Sequence, residues 1–135
     1  MLNKIQATFA IKAWDEKPYD EFDGGRKLTR ANVKKTFHGD IEGDSSLEYL
    51  MLYREDGSAS FIGLERVSGK LGDRSGSFVL EHRGTFENGV AQSTWQVVPG
   101  SGTGDLRRLS GEGFGTAGHS EEIAFTLDYA FEEVR

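Results

Sequence analysis

The sequence predicts an all-β protein, an eight-stranded antiparallel up-and-down β-barrel, from three observations. About eight strand-like segments of similar length occur along the chain, glycine (18 residues) far outnumbers proline (2 residues), and short turns join most of the segments. This pattern is typical of a barrel and not of alternating strands and helices. With 135 residues the chain is long enough for one core, and we predict a single domain over residues 1–135.

The first two predicted strands show the alternation clearly. In residues 4–14, Ile5 and Phe9 occupy odd positions between polar residues, as expected for a half-buried strand. Residues 28–41 alternate in the same way. The stretch between them, residues 15–27, is rich in charged residues, and we predict a long loop there.

Turn sequences join the four central predicted strands. Asp56-Gly57 and Asn88-Gly89 are typical of two-residue hairpin turns, and Gly72-Asp73 is a third candidate. The strands that these turns connect are residues 47–54, 59–67, 75–86 and 90–98.

The last two predicted strands are residues 106–115 and 121–134. Residues 121–134 also fit a helical stripe, because apolar residues recur there at helical spacing too. Strict alternation holds at five successive positions, which favours a strand: Ile123, Phe125, Leu127, Tyr129 and Phe131.

The register of the central strands follows if each turn has two residues. The Asp56-Gly57 turn then pairs Glu48 with Glu65, and the Asn88-Gly89 turn pairs His82 with Trp95. One face of four neighbouring strands would line the barrel interior. Its predicted members are Glu48, Leu50, Leu52, Phe61, Glu65, Phe78, Leu80, His82, Phe86 and Trp95.

The polar members of this interior face are the candidate catalytic residues. Two facing carboxylates repel each other, so we expect Glu48 or Glu65 to have a raised pKa and to act as a general acid or base. His82, one diagonal step from Glu65, is the third candidate. The same residues also fit a structural role, with the glutamates at a hydrated rim and His82 hydrogen-bonded in the core.

We predict that the barrel binds a small apolar ligand that has one polar end. An eight-stranded barrel has room for one small ligand or is filled by side chains, and glycines within strands allow either strong coiling or space against the wall. The predicted ligand contacts are Phe61, Glu65, Phe78, Leu80, His82 and Trp95.

Two other functions remain open at this stage. One is an isomerase or cyclase that acts on an unsaturated, lipid-like substrate by carboxylate acid–base catalysis. The other is a structural or interaction module with a filled barrel. The sequence does not decide whether the protein is an enzyme.

An apolar outer face predicts a homo-oligomer. In the register above, large apolar residues lie together on the side that a monomeric barrel would expose. The alternative is that the predicted loop or the end of the chain covers them. The predicted interface residues are Tyr49, Met51, Tyr53, Ile62 and Leu64.

Composition excludes several classes of partner and site. The net charge of -6 and the absence of a Lys/Arg cluster oppose binding to nucleic acid or to an anionic membrane. Without cysteine there is no disulfide, thiolate nucleophile or cysteine metal site. The three histidines, His38, His82 and His119, are too widely spaced for a metal motif, so we predict no metal.

No cofactor and no export are predicted. The glycine-rich residues 99–104 lack the Gly-Lys-Ser/Thr ending of a phosphate-binding loop, and we expect a flexible connection there. The N-terminal residues have no continuous apolar stretch, and no segment is long and apolar enough to span a membrane. We therefore predict a cytoplasmic protein.

Several segments in series resemble a bacterial family, the domain-of-unknown-function family 3224. They are residues 39–43, 62–65, 76–82, 97–106 and 109–111. The resemblance implies a calycin-type barrel like that of allene oxide cyclases, similar also to lipocalins, with eight antiparallel strands. Allene oxide cyclases hold a hydrophobic oxylipin and commonly form trimers, but no catalytic motif of theirs matches this chain. The resemblance therefore implies a fold and no reaction.

Overall fold

A computed structural model describes residues 3–118 and 120–132 of the chain. The alternating segments form eight antiparallel strands that pair in chain order, and the last pairs with the first to close a barrel. The prediction of an all-β, eight-stranded antiparallel barrel is confirmed. The strands are β1 (Asn3–Phe22), β2 (Arg26–Gly39), β3 (Ile41–Tyr53), β4 (Ala59–Leu71), β5 (Arg74–Glu87), β6 (Val90–Val97), β7 (Leu109–Ala117) and β8 (Ile123–Phe131).

The prediction of a long loop between the first two strands is wrong. Strand β1 continues to Phe22, and a single 3-10 turn (Asp23–Gly25) leads directly into β2. Most of the charged residues of this stretch belong to the end of β1, which pairs with β2 and whose side chains are mostly exposed on both faces, so they lack the apolar alternation of a half-buried strand. A register shift between Ile11 and Ala13 turns the following side chains of β1, including Trp14, to the other face.

The turn between β3 and β4 has one more residue than predicted. The backbone N–H of Arg54 donates to Ser58 O at 2.8 Å, and that of Gly57 donates to Arg54 O at 3.0 Å. Three residues, 55–57, therefore form the loop. Gly57 has a φ of 87°, the left-handed conformation with which such three-residue loops end.

The extra loop residue shifts β3 by one position and reverses its two faces. Leu47, and not Glu48, pairs with Glu65. The inward orientation predicted for Glu48 is therefore wrong, and it is wrong for two neighbours as well, Leu50 and Leu52. The outward orientation predicted for three interface residues is also wrong, because these side chains face the barrel interior: Tyr49, Met51 and Tyr53.

The other two hairpin turns have the predicted length. Gly72-Asp73 lies between a paired Leu71 and Arg74, and Asn88-Gly89 lies between a paired Glu87 and Val90. Asn88 and Gly89 have φ values of 52° and 77°, as in the turn type that Asn-Gly favours. The predicted pairing of His82 with Trp95 is confirmed.

One half of the barrel is filled by side chains and closed by the segment after β6. Thr103 N donates to Ser77 O at 2.8 Å, and Ser101 Oγ accepts from Val79 N at 3.0 Å, so the expected flexible connection is bound to β5. Leu106 at its end is fully buried. The apolar residues packed in this half include Ile5, Phe37, Ile41, Leu71, Phe78, Leu80, Val97, Leu109 and Leu127.

Candidate functional site

The opposite half of the barrel contains a cavity of about 150 Å³. Aromatic rings form most of its wall, small side chains line β6 and the end of β7, and Lys35 and His82 are the basic residues that border it. The aromatic residues are Phe9, Trp14, Tyr49, Phe61, Phe86, Trp95 and Phe125.

A buried carboxylate lies directly behind this cavity. Glu65 on β4 is 0% exposed, and His82 Nε2 is 2.6 Å from its Oε1. Ser45 Oγ donates to Oε2 at 2.5 Å, and Lys35 Nζ is 3.4 Å from the same oxygen. These four residues, which we call the Glu65 cluster, come from β2, β3, β4 and β5, and all are buried.

The cluster keeps Glu65 ionised. Burial alone would raise its pKa, but Lys35, His82 and Ser45 together lower it to about 2. Burial lowers the pKa of Lys35, and the charge of Glu65 opposes this effect. The expectation of a raised carboxyl pKa is therefore wrong for Glu65, because a buried cation replaces the second carboxylate that we expected opposite it.

Glu48 lies on the outer surface, away from this cluster. Hydrogen bonds from Asn32 at 3.0 Å and from Arg30 at 3.1 Å lower the pKa of its carboxyl group. The expectation of a raised pKa is wrong for this glutamate too. Nothing in its position joins Glu48 to Glu65 or His82 in one site.

His82 presents one ring nitrogen to the cavity. Its Nε2 is bound to Glu65, and among the described residues its Nδ1 has no hydrogen-bond partner. Among those residues, every fully buried side-chain nitrogen or oxygen has a hydrogen-bond partner. Because Nδ1 has none, it is not fully buried and borders open space. His82 lines the cavity, so we infer that this space is the cavity. The ring centroids of Tyr49 and Trp95 lie 6.1 and 6.0 Å from that of His82.

The indole of Trp95 occupies a gap in the barrel wall. Strands β7 and β8 pair only from Leu109↔Phe131 to Glu112↔Asp128 in the described part of the chain, and beyond that they separate. Trp95 Nε1 donates to Thr126 O at 2.8 Å across this gap, and its ring stacks on Phe125 with centroids 5.2 Å apart. Glycines of β7 leave the space for the indole. One of the two expectations for strand glycines was that they leave space against the barrel wall. Here the Trp95 side chain of the protein itself occupies that space.

Hydrogen bonds among four residues hold the rim of the cavity: Trp14, Glu16, Thr29 and Tyr53. Trp14 is 46% exposed and lies with its ring centroid 5.9 Å from that of Tyr49. Trp14 Nε1, Thr29 Oγ1 and Tyr53 OH donate to Glu16 at 2.9, 2.7 and 2.6 Å. Burial acts to raise the pKa of Glu16, but these three hydrogen bonds lower it. Glu16 thereby fixes Trp14 beside the opening.

The predicted ligand contacts divide into three groups. Phe61, His82 and Trp95 line the cavity, and Glu65 lies behind His82. Phe78 and Leu80 are packed in the filled half and do not reach the cavity, because it occupies only the other end of the barrel. Binding through these residues stays a prediction.

Sequence reasoning missed three important members of the site, Lys35, Ser45 and Tyr49. Lys35 lies at the same parity as the apolar residues Val33 and Phe37, so the alternation of β2 already indicated an inward lysine. Ser45 lies before the start predicted for its strand. Tyr49 was assigned to the wrong face by the shift of β3.

Within residues 3–118 and 120–132, no three His, Cys, Asp or Glu side chains are grouped so that they would hold a metal ion. His38 is exposed and bound to Glu42 at 3.0 Å, and His119 lies outside the described residues. No helix in those same ranges has the length and apolar content needed to cross a membrane.

Comparisons with known proteins identify relatives but no activity. The family described as "Protein of unknown function (DUF3224)" matches residues 5–129. A crystal structure of a protein with unknown function from that family, from Shewanella oneidensis MR-1, is similar with a TM-score of 0.81 and 31% sequence identity. The match covers 98% of this chain and 100% of that one. No curated protein matches the chain.

Proposed function

Because the chain belongs to the DUF3224 family, whose function is unknown, we propose a function from the geometry of the site: the barrel binds a ring-sized apolar molecule with one polar end. The resemblance to this family noted in the sequence is confirmed, and the likeness to allene oxide cyclases stays a prediction. The observation that carries the proposal is that Nδ1 of His82, which has no hydrogen-bond partner among the described residues, lies at the inner end of an aromatic cavity.

The size and lining of the cavity support a small ligand. A volume of about 150 Å³ is close to that of apolar cavities that admit benzene, and it is below the roughly 300 Å³ at which pockets for drug-sized molecules begin. Rings at its wall favour a flat molecule, since aromatic groups pack edge-to-face or offset. A ligand that enters as a whole is therefore a single ring or a short branched chain.

The polar end of the ligand belongs at Lys35 and His82. A buried polar group costs free energy unless it is hydrogen-bonded, and these two side chains offer the partners deep in the cavity. Lys35 has three donor hydrogens, and its contacts with the oxygens of Glu65, at 3.4 and 3.5 Å, are long. An oxygen of the ligand that accepts from Lys35 fits this arrangement.

The two alternative functions have less support. Acid–base catalysis by a carboxyl group needs a carboxyl pKa near neutrality, whereas the pKa of Glu65 is about 2. A fully filled barrel is inconsistent with the cavity in one of its halves.

Filling the cavity is expected to abolish binding. Ser93 lines the cavity on β6, and Ser93→Leu adds apolar volume there without changing the Glu65 cluster. With cyclohexanone as the probe, we expect ligand-observed NMR to show at least a tenfold loss of affinity relative to the unmodified protein. Gln92→Leu, at the exposed neighbouring position of the same strand, is the matched control. Equal affinities in the two variants, or no binding to the unmodified protein, would refute the proposed function.

We also propose that copies of the chain associate through the outer face of β3 and β4. Ile62 and Leu64, both from the predicted interface, are 45% and 56% exposed, and Leu50 beside Ile62 is 46% exposed. Arg30 and Glu48 form an exposed ion pair at 3.1 Å next to Leu50. Opposite charges beside an apolar patch suit a two-fold contact between copies.

Ile62→Glu is expected to shift the protein toward monomer in sedimentation velocity. The carboxylate would have to be buried without a partner at the contact, which is unfavourable. Phe114→Glu is the control, because Phe114 is an exposed apolar residue of β7, on another part of the barrel. A monomeric unmodified protein would show that the oligomer prediction is wrong.

A further inference from the structure

We propose that His82 is a catalytic base that moves protons at the carbon atom next to a carbonyl group, so that the cavity is an isomerase site for ring-sized enolisable ketones. This inference rests on the proposed function, because the substrate has to enter the same cavity. It differs from the carboxylate mechanism considered above in the identity of the proton carrier. Here Glu65 is a positioning residue and His82 is the group that contacts substrate.

The contacts of His82 fix its tautomer. Glu65 is surrounded by donors from Lys35 and Ser45 as well as by His82, so it is ionised and only accepts hydrogen bonds. The proton of the neutral imidazole therefore lies on Nε2, at 2.6 Å from the carboxylate. The lone pair of the ring then lies on Nδ1, the nitrogen that borders the cavity. A carboxylate that orients a histidine in this way is the arrangement used by general bases.

Lys35 is positioned to stabilise the negative charge that develops when a ketone loses a proton. Its Nζ and the Nε2 of His82 both contact Oε1 of Glu65, so the ammonium and the imidazole are neighbours. Lys35 also lines the cavity, with Nζ 4.1 Å from the centroid of the Phe9 ring. A fixed cation in an apolar, partly enclosed site stabilises an oxyanion more strongly than it would in water.

The reaction conserves all atoms and needs no co-reactant. The lone pair of Nδ1 removes a proton from the carbon next to the carbonyl group. The electrons of that C–H bond form a C=C bond, and the carbonyl electrons move to oxygen, which lies at the ammonium of Lys35. When the substrate has a double bond one carbon further along, Nδ1, whose proton exchanges with solvent through the opening of the cavity, delivers a proton to the far carbon of the dienolate. The product is the conjugated isomer, and His82 is regenerated in its starting form.

The tautomer of His82 is testable without any ligand. In protein labelled with ¹⁵N-histidine, we expect the neutral form of His82 to show an unprotonated Nδ1 and a protonated Nε2. Glu65→Gln should change this pattern, since a side-chain amide does not demand a donor from Nε2, whereas a purely structural glutamate would leave it unchanged. A protonated Nδ1 in neutral His82 would overturn the proposal even if the variants fail to fold.

The activity is testable with cyclohex-3-enone, a six-membered ring with the required double bond. We expect conversion to cyclohex-2-enone, followed by the ultraviolet absorbance of the conjugated product, with deuterium incorporated from D₂O. His82→Gln should lower the rate by about 100-fold or more, the usual contribution of a general base. His38→Gln is the matched control, because His38 also binds a carboxylate but is exposed and outside the cavity.

Failure of this inference is distinguishable from failure of the proposed function. If cyclohexanone binds but its neighbouring hydrogens exchange with D₂O at the rate seen without protein, binding holds and the catalytic role of His82 is wrong. If cyclohexanone does not bind, both are wrong. Exchange that is equally fast in the His82→Gln and unmodified proteins would contradict His82 as the base.

Discussion

Glu65→Gln is expected to lower the free energy of unfolding by about 3 to 5 kcal/mol, measured by urea denaturation near neutral pH. The substitution keeps the shape of the side chain but removes the carboxylate charge that compensates a buried ammonium. Lys35 is then left without its counter-charge, and His82 loses a charged acceptor at 2.6 Å. Removing one partner of a buried ion pair costs more than removing both, because the remaining charge stays desolvated.

Two further variants separate this effect from a general loss of packing. Glu48→Gln changes an exposed glutamate on the neighbouring strand, and we expect a change within about 0.5 kcal/mol. The double variant Lys35→Met with Glu65→Gln removes both charges and should recover part of the lost stability. A Glu65→Gln protein as stable as the unmodified one would show that Glu65 is not a buried counter-ion.

The same carboxylate makes stability depend on acid pH. Its pKa is about 2 in the folded protein and near the ordinary 4.5 in the unfolded chain. A lowered folded pKa stabilises the fold above about pH 4.5, and this contribution disappears as the pH falls toward 2. It amounts to about 3 kcal/mol. The difference in unfolding free energy between the unmodified protein and Glu65→Gln should therefore shrink by that amount over this range.

Gly113→Ala is expected to lower the free energy of unfolding by about 2 to 3 kcal/mol. A methyl group on Gly113 would lie inside contact distance of both Thr126 O and Trp95 Nε1, and the first of these is backbone that cannot rotate away. The indole would be displaced and would lose its 2.8 Å hydrogen bond to Thr126 O. We expect a red shift of tryptophan emission together with the loss of stability.

Two other glycines near this gap provide graded controls. At Gly115 the added carbon would meet only the ring edge of Trp95, at 3.0 Å, so Gly115→Ala should cost less than Gly113→Ala. Gly118 has nothing within 4 Å of the added carbon, and Gly118→Ala should change stability by no more than about 0.5 kcal/mol. Equal effects at all three positions would contradict a specific role for the space above Gly113.

Sequence patterns predicted the barrel because strand alternation and turn chemistry are local properties. The register depends on loop length, and here two similar dipeptides behaved differently. Asn88-Gly89 forms a two-residue turn, whereas Asp56-Gly57 belongs to a loop of three residues. A type I turn followed by a left-handed glycine competes with the two-residue turn, and the choice between them depends on how the whole of β3 packs. The register of β3 against β4 was therefore predicted one residue away from the observed register.

The chemistry of the site was only partly predictable for a different reason. Glu65 and His82 were both identified and placed on the interior face, and the pairing of β4 with β5 was correct. The partner of Glu65 was not, because Lys35 comes from a strand that does not neighbour β4 in the sheet. Contacts across the interior of a barrel depend on its closure, and no local pattern in the sequence reports them. Because that contact was not predicted, the pKa of Glu65 was expected to be raised, whereas it is lowered.

The segment that closes one end of the barrel has a kinetic consequence. With Leu106 and its neighbours packed at that end, a molecule in the cavity leaves from the opposite half of the barrel, where Trp14 is 46% exposed. A volume of about 150 Å³ holds one ring and leaves no room for a second to enter beside it. Exchange is therefore strictly dissociative: the residence time of one occupant is independent of the concentration of the next.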